Sequence, residues 1–246
     1  MRNLLVFIVF IFAILPNARG QELPEQQVFR MIYNQEYPDA EHLLKSMHDS
    51  IDPMYYAVLD IDLSYWKNVT GTDEPDYAAF EQTLETYTLS HTGNVEEKEV
   101  QLITLSYRLR YQLKRYQLFR AITTRKKTVD LFNEFKTRDN NFSNEQLQLF
   151  RLYDALILYF DNYLKPFFVS GKHDAMQEAI QEMERLTRSN QMIIRTLSAY
   201  FLGKIYLNYE NQPKEGVAYF QWLSEEYPEN KKFRELLLEA AENSKD

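Results

Sequence analysis

The chain has 246 residues, of which 45% are hydrophobic, 15% aromatic and 26% charged, proportions that fit a packed globular protein and exclude a disordered one. It has no cysteine, which excludes disulfides, cysteine-ligated metals and thiol nucleophiles. Its formal net charge of −8 argues against general nucleic-acid binding, and its 6 glycines and 8 prolines disfavour a loop-rich β-barrel or doubly wound fold.

The first 20 residues have the pattern of a secretory signal peptide. A basic start precedes an apolar run from residue 4 to residue 15, and a small-x-small cleavage site ends at Gly20. The run is shorter than the ~20 residues that cross a bilayer, although an uncleaved anchor remains an alternative. We therefore expect residues 1–20 to be a signal peptide and residues 21–246 to form one domain. That domain would lie in the periplasm, at the cell surface or in the secreted space, with no membrane span after cleavage.

Apolar residues at helical spacing predict four helices in the first 90 residues. They are centred near Val28, Leu44, Leu59 and Leu84. Prolines separate them, because proline lacks an amide donor and restricts the residue before it. No segment alternates with period two for long enough to predict a strand.

The rest of the chain predicts seven more helices. The stretch 95–137 is read as two helices with a turn near residues 114–117, although neither glycine nor proline marks that turn. Ser143 and Gln146 then form a capping box. A helix that carries Met176, Ile180, Met183 and Leu186 follows Gly171, and later helices lie near residues 191–209, 213–226 and 230–243. The chain is thus predicted to be all-α, with about eleven helices in antiparallel pairs.

Internal periodicity favours a stack of helix pairs over a bundle. A two-helix repeat unit is recognisable near the carboxyl end, and a fainter copy lies near the amino end at Ala40. Small residues such as Gly203 and Gly216 are expected where two helices cross closely. The residues of the clearer unit are Ala199, Leu202, Gly203, Tyr206, Gly216, Phe220 and Pro228.

On these residues the chain resembles the tetratricopeptide-repeat (TPR) proteins. It is similar to divergent exported members from Bacteroidetes-type bacteria, which share the pair Tyr65-Trp66 and the segment 196–206. The resemblance implies a right-handed solenoid of stacked antiparallel helix pairs. It also implies a groove that binds a protein or peptide partner.

No catalytic or metal-binding pattern is present in the sequence. Asp60 and Asp62 are two residues apart, so on a helix their side chains diverge by about 200°. The four histidines lack metal-ligand spacing, and no nucleophile motif or phosphate-binding loop occurs. We therefore expect no enzyme activity, metal or cofactor. The alternative, an all-helical hydrolase acting on polysaccharide or peptide, needs convergent carboxylates with raised pKa values in a deep pocket.

A basic segment supplies the candidate binding residues. Residues 100–129 contain eight lysines and arginines and no aspartate or glutamate. This asymmetry can attract an anionic partner, although the cations could instead neutralise acidic neighbours. The interpretation is a non-catalytic exported scaffold or adaptor, with a structural subunit of an envelope assembly as the alternative. The residues predicted to contact a protein or peptide partner, with nucleic acid disfavoured, are Arg108, Tyr111, Arg115, Arg120 and Tyr153.

Overall fold

The computed structural model describes residues 23–89, 95–136 and 142–245. Every regular element in these ranges is helical, so the fold is all-α, as predicted. A five-residue π-helical turn, Trp66–Thr70, continues the third α-helix. The predicted signal peptide lies outside the described residues. The eleven α-helices of the described ranges are α1 (Pro24–Tyr33), α2 (Tyr37–Ser46), α3 (Pro53–Tyr65), α4 (Tyr77–Leu89), α5 (Val95–Lys114), α6 (Leu118–Lys136), α7 (Asn144–Tyr163), α8 (Lys172–Leu186), α9 (Met192–Asn208), α10 (Pro213–Glu226) and α11 (Lys231–Asn243).

Side-chain caps fix where several helices begin. Asp52 Oδ1 accepts a hydrogen bond from the backbone N–H of Met54 at 3.0 Å, at the start of α3. The predicted capping box of α7 is confirmed, since Gln146 N–H donates to Ser143 Oγ at 3.1 Å and Ser143 N–H donates to Gln146 Oε1 at 2.9 Å. These bonds satisfy amides that have no partner inside the helix.

The turn between α5 and α6 is confirmed at residues 115–117. Tyr116 takes a left-handed backbone conformation there, with φ of 55°, which glycine would adopt more easily. The turn therefore lacks the usual glycine signal in the sequence. It folds α6 back along α5.

The helices contact one another in a regular order. Each even-numbered helix packs against the helices before and after it in the sequence. In addition, α1 contacts α3, α3 contacts α5, α5 contacts α7, and α7 contacts α9. Helix α9 also contacts α1, so the five odd-numbered helices from α1 to α9 form a ring in which each contacts the next.

The amino-terminal helix is tied to the carboxyl-terminal part of the chain. Arg30 on α1 forms an ion pair with Glu226 at the end of α10, with an N–O distance of 3.2 Å. The ring of Tyr33 packs against that of Tyr227, with centroids 5.4 Å apart. Because the first helix contacts the carboxyl-terminal part of the chain, the groove between the two ends is less open than the groove of an extended stack of helix pairs.

One hydrophobic cluster joins most of the helices. It runs from Val28 on α1 to Ala240 on α11 and includes the fully buried Trp66. A smaller cluster of Leu102, Phe132 and Phe135 lies between α5 and α6. None of the helices in the described ranges combines the length and apolarity needed to cross a membrane.

The close helix crossing predicted at Gly203 and Gly216 is present. A Cβ atom on Gly203 of α9 would lie 2.8 Å from the ring of Phe220 on α10. A Cβ on Gly216 would lie 3.2 Å from the carbonyl oxygen of Gly203. The repeat residues Ala40, Ala199, Leu202 and Phe220 are buried, Tyr206 is 9% exposed, and Pro228 lies between α10 and α11.

Candidate functional site

A basic cleft lies where α4, α5 and α6 meet. Its volume is about 450 Å³. All of its lining residues belong to the described part of the chain, and none of them is acidic. The residues that line this basic cleft are Thr88, Leu105, Arg108, Gln112, Phe119, Arg120, Thr123, Thr124 and Lys127.

Helical spacing places these residues on facing sides of one hairpin. Arg108 and Gln112 are four residues apart on α5, so they lie one above the other on the same face. On α6, the cleft-lining positions 120, 123 and 127 follow one another at intervals of three and four residues, which also places them on one face. The structure therefore brings together two of the predicted binding residues, Arg108 and Arg120.

The three cations of the cleft differ in exposure. Arg108 is partly buried, and its Nη2 donates a hydrogen bond to Thr88 Oγ1 at 2.9 Å. Arg120 and Lys127 are exposed. Because an anion near Arg108 is less screened by salt than one at the surface, Arg108 gives this cleft its strongest attraction for a carboxylate.

Gln112 provides an unpaired acceptor in the same cleft. The residue is 7% exposed, and its Oε1 atom is buried without a hydrogen-bond partner among the described residues. A buried acceptor left unpaired costs about 1–3 kcal/mol. A ligand that brings an N–H group to this position would remove that penalty.

Arg115 and Tyr111 lie outside the basic cleft. The Arg115 guanidinium is 3.8 Å from the ring centroid of Tyr77. The Tyr111 ring is 2% exposed, and its hydroxyl donates to Glu81 Oε1 at 2.9 Å. Burial, together with the Glu81 carboxylate, raises the pKa of Tyr111 to about 12. The expectation that Tyr111 faces a partner is therefore corrected: its ring packs against Phe80 in the core.

Tyr153, on α7, lies in the interior of the protein. It is 1% exposed, and its hydroxyl has no hydrogen-bond partner among the described residues. The expectation that Tyr153 lines an open groove is corrected, because packed side chains from neighbouring helices fill this position. The nearby Asp62 accepts hydrogen bonds from Tyr107 Oη at 2.5 Å and Tyr33 Oη at 2.9 Å.

Asp62 is a buried carboxyl with opposing influences on its ionisation. Burial raises the pKa of Asp62, while the Tyr107 hydroxyl and the Arg110 guanidinium lower it, and burial dominates. The Arg110 guanidinium lies 4.2 Å from the ring centroid of Tyr107 and 4.6 Å from that of Phe201. Asp62 and Tyr107 are buried in the core, at 3% and 1% exposure.

Asp60 faces away from Asp62, as their spacing predicts. It lines a polar cavity of about 310 Å³ that also contains Glu41, Lys45 and Lys67. Tyr87 Oη donates to Asp60 Oδ2 at 2.7 Å, and burial raises the pKa of Asp60. Hydrogen bonds from Lys45 and then Lys67 lower the pKa of Glu41. The cavity thus has one carboxyl whose pKa is raised and one whose pKa is lowered.

Sequence reasoning missed Gln112 and Phe119 and did not select Lys127 from the basic run. Their common signal is position, since they share a face with Arg108 or Arg120 once the turn at residues 115–117 is fixed. In the described ranges, no group of three or more histidine, aspartate or glutamate side chains is arranged to hold a metal ion. Comparison with known proteins finds no matching family model, no matching curated protein and no matching solved structure. Membership of the TPR family stays a prediction.

Proposed function

We propose that this chain is a non-catalytic scaffold or adaptor that binds an acidic segment of a protein partner in the basic cleft. One observation supports the proposal above the others. Gln112, whose Oε1 has no hydrogen-bond partner among the described residues, lines the same cleft as the cations Arg108, Arg120 and Lys127. This combination offers an acceptor for a backbone amide beside donors for carboxylates.

An extended acidic peptide fits the chemistry of the lining. Its backbone N–H would donate to Gln112 Oε1, and its carboxylates would accept from Arg108 and Arg120. An apolar side chain of the peptide would contact Leu105 and Phe119, which line the same space. Because Arg108 is already held by Thr88, little side-chain entropy is lost when the peptide binds.

At the level of the fold, we infer a TPR-like right-handed solenoid of stacked antiparallel helix pairs. The contacts of α1 with α3, α3 with α5, α5 with α7 and α7 with α9 support it, because stacked pairs contact in this order. The close approach of Gly203 to Phe220 supports it further. The contact of α9 with α1 and the burial of Tyr153 disfavour binding on an inner groove. Binding is therefore assigned to the basic cleft.

The proposed cellular location of the protein rests on its apolar amino-terminal segment. We propose that residues 1–20 direct export, and that the partner belongs to a cell-envelope complex. A structural subunit of such a complex is the alternative role. The two roles predict different responses to salt. A scaffold that binds its partner through the charges of the cleft releases it at high salt more readily than a subunit with a large apolar interface does.

Display of random peptides on the purified chain tests the proposal. We expect enriched peptides to carry at least two carboxylates beside an apolar residue. The double variant Arg108→Glu/Lys127→Glu should bind these peptides about tenfold more weakly or worse. A matched control, Lys231→Glu on α11, changes charge away from the cleft and should bind normally. Enrichment of neutral or basic peptides, or unchanged binding by the double variant, would reject the proposal.

One observation favours a second candidate, a hydrolase of polysaccharide or peptide. Asp60 and Glu41 line one cavity, and their surroundings shift their pKa values in opposite directions. Such a pair can serve as general acid and general base. Release of reducing ends from polysaccharide, or of fragments from casein, that is lost in Asp60→Asn would support this candidate. No release by the unmodified chain would dismiss it.

A further inference from the structure

Exposed apolar side chains are concentrated in two short segments. Eleven large apolar residues are exposed in the described ranges, and eight of them lie within residues 116–122 and 163–168. The most exposed are Phe167 at 92%, Phe119 at 90% and Tyr116 at 87%. Side chains exposed to this degree contribute almost nothing to the core, so core packing does not explain them.

The two segments project from the same end of the molecule. Arg125 on α6 forms an ion pair with Asp161 near the end of α7. At the opposite end of these two helices, the rings of Phe132 and Phe150 stack with centroids 4.7 Å apart. Helices α6 and α7 therefore run antiparallel, and the start of α6 lies beside the end of α7. We call the surface formed by residues 115–122 and 163–168 the aromatic end.

The aromatic end is also basic. Residues 100–129 and 162–173 contain no aspartate or glutamate. Two acidic residues lie nearby. Asp161 is neutralised by Arg125 and by Lys165, whose Nζ lies 2.9 Å from Asp161 Oδ2, and Glu210 accepts a hydrogen bond from Tyr159 Oη. Arg115 and Arg120 are exposed there, and Lys126 is exposed on the next turn of α6. A chain with a net charge of −8 thus presents a positive, aromatic surface at one end.

We propose that the aromatic end docks on the surface of an anionic phospholipid bilayer. Aromatic rings partition to the boundary between headgroups and acyl chains, and lysine and arginine side chains are attracted to anionic headgroups. The exposed rings of Tyr116 and Phe119 lie in the turn before α6 and in its first helical turn, and those of Phe167 and Phe168 follow the end of α7. These rings can enter the boundary together while the helices stay folded. Water-exposed rings are thereby buried, and the cations remain at the depth of the headgroups.

Charge complementarity favours an anionic bilayer over an apolar protein face as the binding partner of the aromatic end. Apolar protein interfaces are depleted in lysine, whereas membrane-surface patches combine aromatic residues with lysine and arginine. The proposal goes beyond partner binding in the basic cleft. The rings of Phe167 and Phe168 do not line that cleft, so the two activities can be separated by mutation.

A fluorescence titration with vesicles tests the proposal on the full chain. Because the chain has no cysteine, Phe167→Cys can be labelled at one place with an environment-sensitive fluorophore. The matched control is Asn144→Cys, which is exposed and lies at the opposite end of α7, about 30 Å away along the helix. Because each fluorophore reports only on its own surroundings, contact of another part of the chain with the bilayer does not change its signal.

With vesicles of equal parts phosphatidylglycerol and phosphatidylcholine, we expect a blue shift at position 167 and none at position 144. Vesicles of phosphatidylcholine alone should give a much weaker response. Adding Arg115→Glu and Lys126→Glu to the labelled chain should weaken the response about tenfold or more. A flat titration at position 167, as expected if the aromatic end docks on a protein, would overturn the proposal. Equal responses at positions 167 and 144, or no effect of the charge reversals, would overturn it too.

Discussion

The side-chain amide of Asn230, at the start of α11, donates a hydrogen bond to the backbone carbonyl of Tyr33, at the end of α1, with an N–O distance of 2.7 Å. The two residues are 197 positions apart. Asn230 Oδ1 also accepts from the backbone N–H of Phe233 at 3.1 Å, which caps α11. One buried side chain thus starts the last helix and connects it to the first.

Replacing Asn230 separates these two contributions. Asn230→Ser keeps a capping oxygen for α11 but leaves the Tyr33 carbonyl without the amide donor. We expect the free energy of unfolding to fall by about 1–3 kcal/mol, because a buried acceptor loses its partner. Urea denaturation followed by far-UV circular dichroism measures this change. A loss close to zero would show that the connection between the first and last helices adds no stability.

The buried Asp62 provides a second comparison. Removing one hydroxyl with Tyr107→Phe should destabilise the fold by about 1.5–3 kcal/mol, since this hydroxyl donates to a carboxyl in the core. Tyr153→Phe is the matched control, because its hydroxyl is equally buried, while the hydrogen bonds described at the Asp62 carboxylate come from Tyr107 and Tyr33. Its effect should stay within about 0.5 kcal/mol. Equal losses in the two variants would contradict the arrangement described around Asp62.

Burial of Asp60 should make stability depend on pH. Its pKa is raised above the ordinary value of 3.8, so the folded state binds the proton more tightly than the unfolded state does. The contribution of protonated Asp60 is therefore full below about pH 4 and is lost as pH rises through the raised pKa. In urea denaturation at increasing pH across this range, the free energy of unfolding of the unmodified chain should fall relative to that of Asp60→Asn.

The control for this pH series is Asp73→Asn, which removes a carboxylate from an exposed position. It separates the effect of burial from the effect of net charge. A stability difference between the unmodified chain and Asp60→Asn that stays constant with pH would contradict the raised pKa.

The crossing of α9 and α10 leaves no room for a methyl group at Gly203. Gly203→Ala should destabilise the fold by about 1–3 kcal/mol, because its Cβ would overlap the Phe220 ring, and the ~1 kcal/mol gain in helix propensity offsets only part. In a Phe220→Leu background the same change should be much less harmful. Thermal unfolding of the four chains in this cycle gives the coupling. Purely additive effects would rule out the proposed overlap.

Much of the fold is readable in the sequence because local signals determine helices. Prolines mark the starts of α3 and α10, and Ser143 with Gln146 marks the start of α7. The turn after α5 follows from the length of the apolar pattern, although Tyr116 occupies the left-handed position where glycine is usual. Helix length limits where such a turn can lie.

The binding site is less readable, because it depends on which face of each helix packs. Tyr111 and Tyr153 have the composition of groove residues, yet their rings lie in the core. Aromatic side chains suit both places, so composition does not distinguish them. The proposed role of Gln112 depends on its Oε1 having no partner among the described residues, which only the packing of α5 against its neighbours reveals.

Photo-crosslinking from the basic cleft in native cells tests the proposed binding most directly. A benzophenone side chain at the exposed, cleft-lining position Thr123 should crosslink to one partner. Mass spectrometry should place the crosslink in an acidic segment of that partner, and Arg108→Glu/Lys127→Glu should abolish the product. A product that survives these charge reversals, a crosslink in a neutral or basic segment, or no product at all would contradict binding in the basic cleft.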